Sequence, residues 1–171
     1  MQARTVVFLI SAAAIPAIAA SPLAAQQSQL DVHGDYSHAV SSGTNSWGAG
    51  VALPVTWGAK SSPVRVATSP GFDWTRESGG GPSQESLGLD VTAQPGGNST
   101  VTPYAGGSAS ANWSTGTGKQ WEGSRLGLEA LAGAQITLRP DKLSAKLEER
   151  YGYISHNDHM WTTRAGLLFS L

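Results

Sequence analysis

Every second residue of 126–138 is apolar: Leu126, Leu128, Ala130, Ala132, Ala134, Ile136 and Leu138. The interleaved positions are Gly127, Glu129, Leu131, Gly133, Gln135 and Thr137, small or polar apart from Leu131. A period of two sustained this far predicts a β-strand with one apolar and one polar face. Soluble strands usually run about 5–6 residues, whereas a strand crossing a bilayer at a tilt needs about 9–11. The segment Arg-Pro-Asp-Lys at 139–142 reads as a turn, and a second alternating run follows it. Together they predict a transmembrane hairpin.

Eight such runs can be marked, at 30–38, 47–57, 64–74, 85–93, 101–113, 126–138, 143–153 and 161–171, bounded by Gly, Pro, Asn or Ser clusters. Pro70 interrupts the third run and predicts a bulge or an early strand end, because proline has no amide hydrogen for a sheet ladder. Connections after runs one, three, five and seven are on average the longer ones. That predicts outer loops at one end and short periplasmic turns at the other. An even number of strands then puts both chain ends in the periplasm.

The charges follow the same alternation. Asp90, Glu129, Lys146, Glu148, Arg150 and Arg164 fall in the polar phase of runs four, six, seven and eight. In a membrane barrel that phase lines the interior, and eight strands leave room there for little beyond side chains. A lumen ion-pair network is therefore expected, with Arg164 within reach of Glu148 on the neighbouring run, and a wide channel is not. Glu149 falls in the apolar phase near the middle of its run, which predicts a bulge that turns it inward.

Aromatic residues cluster at run ends. Tyr36, Trp47, Trp74, Trp113, Tyr153 and Trp161 fall at the ends assigned to the outside, and Trp57 and Phe169 at the other. Trp47 and Trp57 share a phase at a spacing that, for a tilted strand, matches an apolar band about 25 Å tall. These eight are expected to form membrane-interface girdles.

Composition sharpens this reading. Charged residues make up 13 % of the 171-residue chain, about half the usual share for a soluble domain. There is no cysteine, which excludes disulfides, thiol catalysis and thiolate metal sites. A net charge of -1 offers no electrostatic case for nucleic acid. Residues 1–25 have the form of a secretory signal peptide, with Arg4 ahead of a short apolar core and a small-residue exit. Cleavage is expected after Ala25, with Ala19 as the alternative, leaving 26–171 as one barrel domain.

The signal peptide, the eight runs, the hairpin GLEALAGAQITLRPDKLSAKLEERYGY and the ending WTTRAGLLFSL resemble small outer-membrane β-barrel proteins of Gram-negative bacteria. The group containing OmpA-transmembrane, OmpX and opacity-type barrels is nearest. The resemblance implies an all-β, eight-stranded antiparallel up-and-down transmembrane barrel in the outer membrane. It also implies lipid as surroundings, and periplasmic chaperones and the barrel-assembly machinery as partners during biogenesis. Most of that group end in an aromatic residue; here Phe169 lies two places before the last residue.

The densest chemistry is Ser-His-Asn-Asp-His at 155–159, for which a hydrated loop is the default reading against a metal site or a nucleophile with a base. Some eight-stranded outer-membrane barrels are lipid A deacylases with a His-x-Ser-Asn pattern on a late strand. Here the order is Ser155-His156-Asn157, so that motif does not carry over. No catalytic residue, cofactor or metal is expected. The function read from the sequence is structural or surface-binding, with an unknown surface ligand. The alternatives are a narrow pore, a lipid-modifying outer-membrane enzyme and a secreted lipocalin-like barrel with its apolar phase inside.

Overall fold

The computed structural model describes residues 27–59, 61–115, 125–154 and 158–171. Strand segments follow the alternating runs and extend them at most ends: β1 (Gln27–Ala39), β2 (Asn45–Ala52), β3 (Val55–Trp57), β4 (Val64–Glu77), β5 (Ser83–Pro95), β6 (Val101–Thr115), β7 (Arg125–Arg139), β8 (Leu143–Ile154) and β9 (Asp158–Ser170). All neighbours pair antiparallel, and β9 returns to β1 from Ala39↔Met160 to Gln29↔Ser170. The sheet is closed and has no free edge.

The nine segments make eight staves, because β2 and β3 are two halves of one. The register against β1 is the same on both sides of the gap, Asp31↔Ala52 and Ser28↔Val55. Against β4 it is likewise unbroken, Ala52↔Gly71 and Val55↔Thr68. The gap marks missing donors. Gln29 N–H donates to Pro54 O, and Leu53 N–H donates to Pro70 O, both at 2.9 Å. Each proline keeps its acceptor in the ladder and lacks the reciprocal donor.

This corrects the expectation at Pro70. β4 runs through it unbulged, with Pro70 opposite Leu89. The interruption falls on the stave beside it, where Pro54 and Pro70 together remove two bonds. A register shift does occur between Thr137 and Arg139, where β7 enters its turn into β8. Asp141 there takes φ 56°, a left-handed conformation that aspartate tolerates better than most residues.

The expected difference in connection length rests on an average that includes 116–124 and 155–157, which lie outside the described residues. The strands grow into their loops, so segments 40–44 and 78–82 are no longer than 58–63 and 96–100 on the side of the chain ends. Orientation therefore rests on the shared end of β1 and β9.

Burial is inverted relative to a soluble barrel. Among the described residues, most large apolar side chains point out: Leu126 is 71 % exposed and Leu128 64 %. The buried set is mostly polar and includes Asp31, His33, Asp35, Glu148, Arg150 and Arg164. An apolar outside around a polar inside is the arrangement lipid requires. The lipocalin-like alternative needs the reverse and does not describe this chain.

Candidate functional site

The site is the lumen. Residues alternate in and out along each strand, so β1 sends Asp31, His33 and Asp35 inward while Val32, Gly34 and Tyr36 face out. Asp73 enters from β4, Asp90 from β5, Glu129 from β7, Lys146, Glu148 and Arg150 from β8, and Arg164 from β9. Two guanidinium groups act as struts.

Arg150 reaches from β8 across to Asp90 on β5, donates to Glu129 Oε2 at 2.9 Å, and donates through Nε to Glu148 Oε1 at 2.6 Å. Tyr104 O–H on β6 donates to Glu148 Oε2 at 2.9 Å. Arg164 donates to Asp35 Oδ1 at 2.7 Å and to Asp73 Oδ1 at 2.8 Å. His33 Nε2 lies 2.6 Å from the same Asp73 oxygen, and Lys146 pairs with Asp31. His33 Nδ1 and Asp31 Oδ1 face each other at 3.3 Å, and neither has a hydrogen-bond partner.

All six charged residues assigned to the lumen from the sequence lie in these clusters, but the pairing differs in one place. Arg164 and Glu148 are register neighbours, yet Arg164 turns to Asp35 and Asp73 while Glu148 is held by Arg150 and Tyr104. Three further acids and a histidine were missed: Asp31, Asp35, Asp73 and His33. Their signal was present, since each sits in the polar phase of run one or run three.

Several of these contacts bridge strands that are not adjacent, and inward-facing glycines make that geometry possible. Gly50 lies in register with His33 on one side and Asp73 on the other. A Cβ there would stand 2.1 Å from Asp73 Oδ1 and 2.4 Å from His33 Nε2, on top of the bond between them. Gly133 sits between Tyr104 and Glu148 in the same way, and a Cβ would meet the Tyr104 hydroxyl at 2.7 Å. Gly166 separates Lys146 from β1, and its Cβ would meet Asp31 Oδ1 at 2.8 Å.

The clusters close the middle of the barrel. A void of about 60 Å³ lies among Asp35, Asp73, Asp90, Arg150 and Arg164, and one of about 50 Å³ beside Tyr104 and Glu148. Each is room for one or two waters, at about 30 Å³ apiece. Among the described residues, larger spaces open toward the mouths, about 240 Å³ at one end and about 390 Å³ at the end where β1 begins and β9 finishes. Among the described residues, the side chains that could hold a metal are His33, Asp35 and Asp73, whose ligand atoms lie within 4.8 Å of one another. Arg164 already sits on both carboxylates, so the cluster carries its own counter-charge.

On the outside, Tyr36, Trp47, Trp74, Trp113, Tyr153 and Trp161 lie toward the loop end, and Trp57 and Phe169 toward the other. Trp47 and Trp74 meet edge to face at 5.6 Å, and Trp57 Nε1 donates to Thr68 Oγ1 at 3.1 Å. Glu149 corrects a second expectation. No bulge turns it inward: it pairs with Ala132 and Thr163 in continuous register and stays exposed. Its carboxylate accepts from Trp161 Nε1 at 2.6 Å and from Thr163 Oγ1 at 2.9 Å. The loop chemistry of Ser155, His156 and Asn157 lies outside the described residues. His159 stacks on Tyr151, with ring centres 6.0 Å apart.

No family model matches the chain, and no curated protein does. Solved structures do. The chain is similar to Neisserial surface protein A, with a TM-score of 0.61, 17 % identity, and coverage of 85 % of this chain and 97 % of that one. It is similar to the attachment invasion locus protein Ail of Yersinia pestis, with a TM-score of 0.58, 14 % identity, and coverage of 85 % and 97 %. It is also similar to the outer-membrane enzyme PagL, with a TM-score of 0.56, 16 % identity, and coverage of 82 % and 99 %. The fold is that of small outer-membrane β-barrels, shared by a surface protein, an attachment protein and an enzyme.

Proposed function

We propose that this protein is a resident outer-membrane barrel with a structural or surface-binding role, and that it neither conducts nor catalyses. The observation that carries this reading is the lumen. Two arginine struts and their carboxylates cross the middle of the barrel, and the spaces beside them among the described residues are about 60 Å³ and about 50 Å³. A diffusion pore needs a continuous wet path, so the narrow-pore alternative is disfavoured by the same clusters.

Surface and attachment proteins among the similar structures support a surface role for this fold. PagL shows that the fold also hosts enzymes, so fold alone does not decide. The acids and bases of the two lumen clusters are tied to one another, which supports a structural use of the middle of the barrel over a catalytic one.

The deciding experiment records planar-bilayer currents from the purified barrel and compares acyl-chain profiles of outer-membrane lipids from cells with and without it. Flat current traces and unchanged lipids are the expected result. Stepwise conductance would replace this reading with a pore, and an altered acyl profile with an enzyme.

A further inference from the structure

We infer that the vestibule at the periplasmic mouth is a binding site for a hydroxylated anion, a sugar acid or sugar phosphate, anchored by Arg65. Arg65 is the second residue of β4 and points into the barrel opposite Gln94. It is only 8 % exposed, and its Nε has no hydrogen-bond partner. None of the ion pairs formed in the lumen uses it; their carboxylates are engaged by Arg150, Arg164, His33 and Lys146. A buried cation without a counter-ion is an expensive arrangement, and a bound anion relieves it.

The space beside Arg65 suits such a ligand. The vestibule measures about 390 Å³, within the usual span of small-molecule sites, about 300–1,000 Å³. Its wall carries neutral amides and hydroxyls, among them Gln29, Thr56, Gln94, Thr102, Gln135 and Ser144. Amides and hydroxyls both donate and accept, which matches the hydroxyl pattern of a sugar. The guanidinium supplies the charge inside the vestibule. A guanidinium can hold a carboxylate or phosphate through two parallel bonds. At the rim, Lys142 adds a second positive group and Asp141 a carboxylate. The site opens away from the outer surface, so it is independent of any surface-binding role.

The test uses the detergent-solubilised mature barrel, labelled for NMR of the arginine Nε–H and glutamine amide groups. It is titrated with glucuronate, with glucose 6-phosphate, and with glucose as the neutral control. Saturable shifts with at least one anion are expected at Arg65, Gln94 and Gln135, with none from glucose. Arg65→Gln should weaken the apparent Kd at least about tenfold, and the preferred anion distinguishes carboxylate from phosphate. No saturable shift with either anion would overturn the proposal, as would equal shifts from glucose or in the variant. Cold and boiled SDS migration checks that the variant is a closed barrel. Should Arg65→Gln fail to close, Arg65→Lys keeps the charge, loses the planar fork, and should still bind several-fold more weakly.

Discussion

Arg150 and Glu149 are chain neighbours that face opposite solvents, and the difference sets what each is worth. Arg150 is 4 % exposed and tied to Asp90, Glu129 and Glu148. Arg150→Met leaves three lumen carboxylates facing one another without their common partner. Removing one member of a buried ion pair typically costs about 3–5 kcal/mol, and that loss is expected here in urea unfolding from lipid vesicles. A loss below about 1 kcal/mol would mean that lumen water screens the cluster. Glu149 faces the membrane near Trp161, where its hydrogen bonds to Trp161 and Thr163 offset the cost of an acid at the lipid boundary. Glu149→Leu loses those bonds and also the charge at the lipid boundary, so the same assay should read a change within about 1 kcal/mol. The polar phase made the Arg150 cluster legible in the sequence; Glu149 was misjudged because alternation alone cannot show a tryptophan on the next strand supplying a donor.

At the scale of the strands, the staves themselves were legible, since a period of two survives any uncertainty about partners. What alternation could not show is which residues line up across strands, and the lumen depends on that. Gly50 looks in the sequence like one more small residue in a glycine-rich run. Only the register places it between His33 and Asp73, where it is the space their hydrogen bond occupies. Gly50→Ala should therefore break that bond and cost about 1–3 kcal/mol, the usual penalty for overfilling a packed site. Gly88 is the control: a Cβ there meets nothing closer than 3.7 Å, so Gly88→Ala should leave unfolding in lipid unchanged or slightly raised. Equal losses at both positions would show that any inward methyl is disruptive and that the register-specific argument is wrong. The gap at Leu53 and Pro54 has the same lesson. Proline marked a defect correctly, but the bond lost to Pro70 appears on its neighbour, because a ladder hydrogen bond belongs to two strands.

For the molecule as a whole, everything depends on a seam between residues far apart in the chain. β1 and β9 must meet before His33, Asp35 and Arg164 can be neighbours, and that contact closes nearly the full length of the sequence. Such non-local pairing is slow to form, and in a closed barrel no edge remains once it has formed. The seam register is testable because the chain has no cysteine of its own. Val32 lies opposite Leu167, both facing outward. Even-numbered β1 residues form the hydrogen-bonded pairs with β9, as Leu171 N donating to Ser28 O shows. Cα atoms in such pairs stand about 5.5 Å apart, within the reach of a disulfide. Val32→Cys with Leu167→Cys should cross-link on mild oxidation in the membrane and retain fast migration even after boiling without reductant. Val32→Cys with Phe169→Cys places the thiols on a diagonal of about 7–8 Å, beyond easy bridging, and should stay largely reduced. A reversal of those two outcomes would mean a seam slipped by two residues. That slip would carry His33 and Asp35 out of line with Arg164, and the lumen network could not exist in the form described.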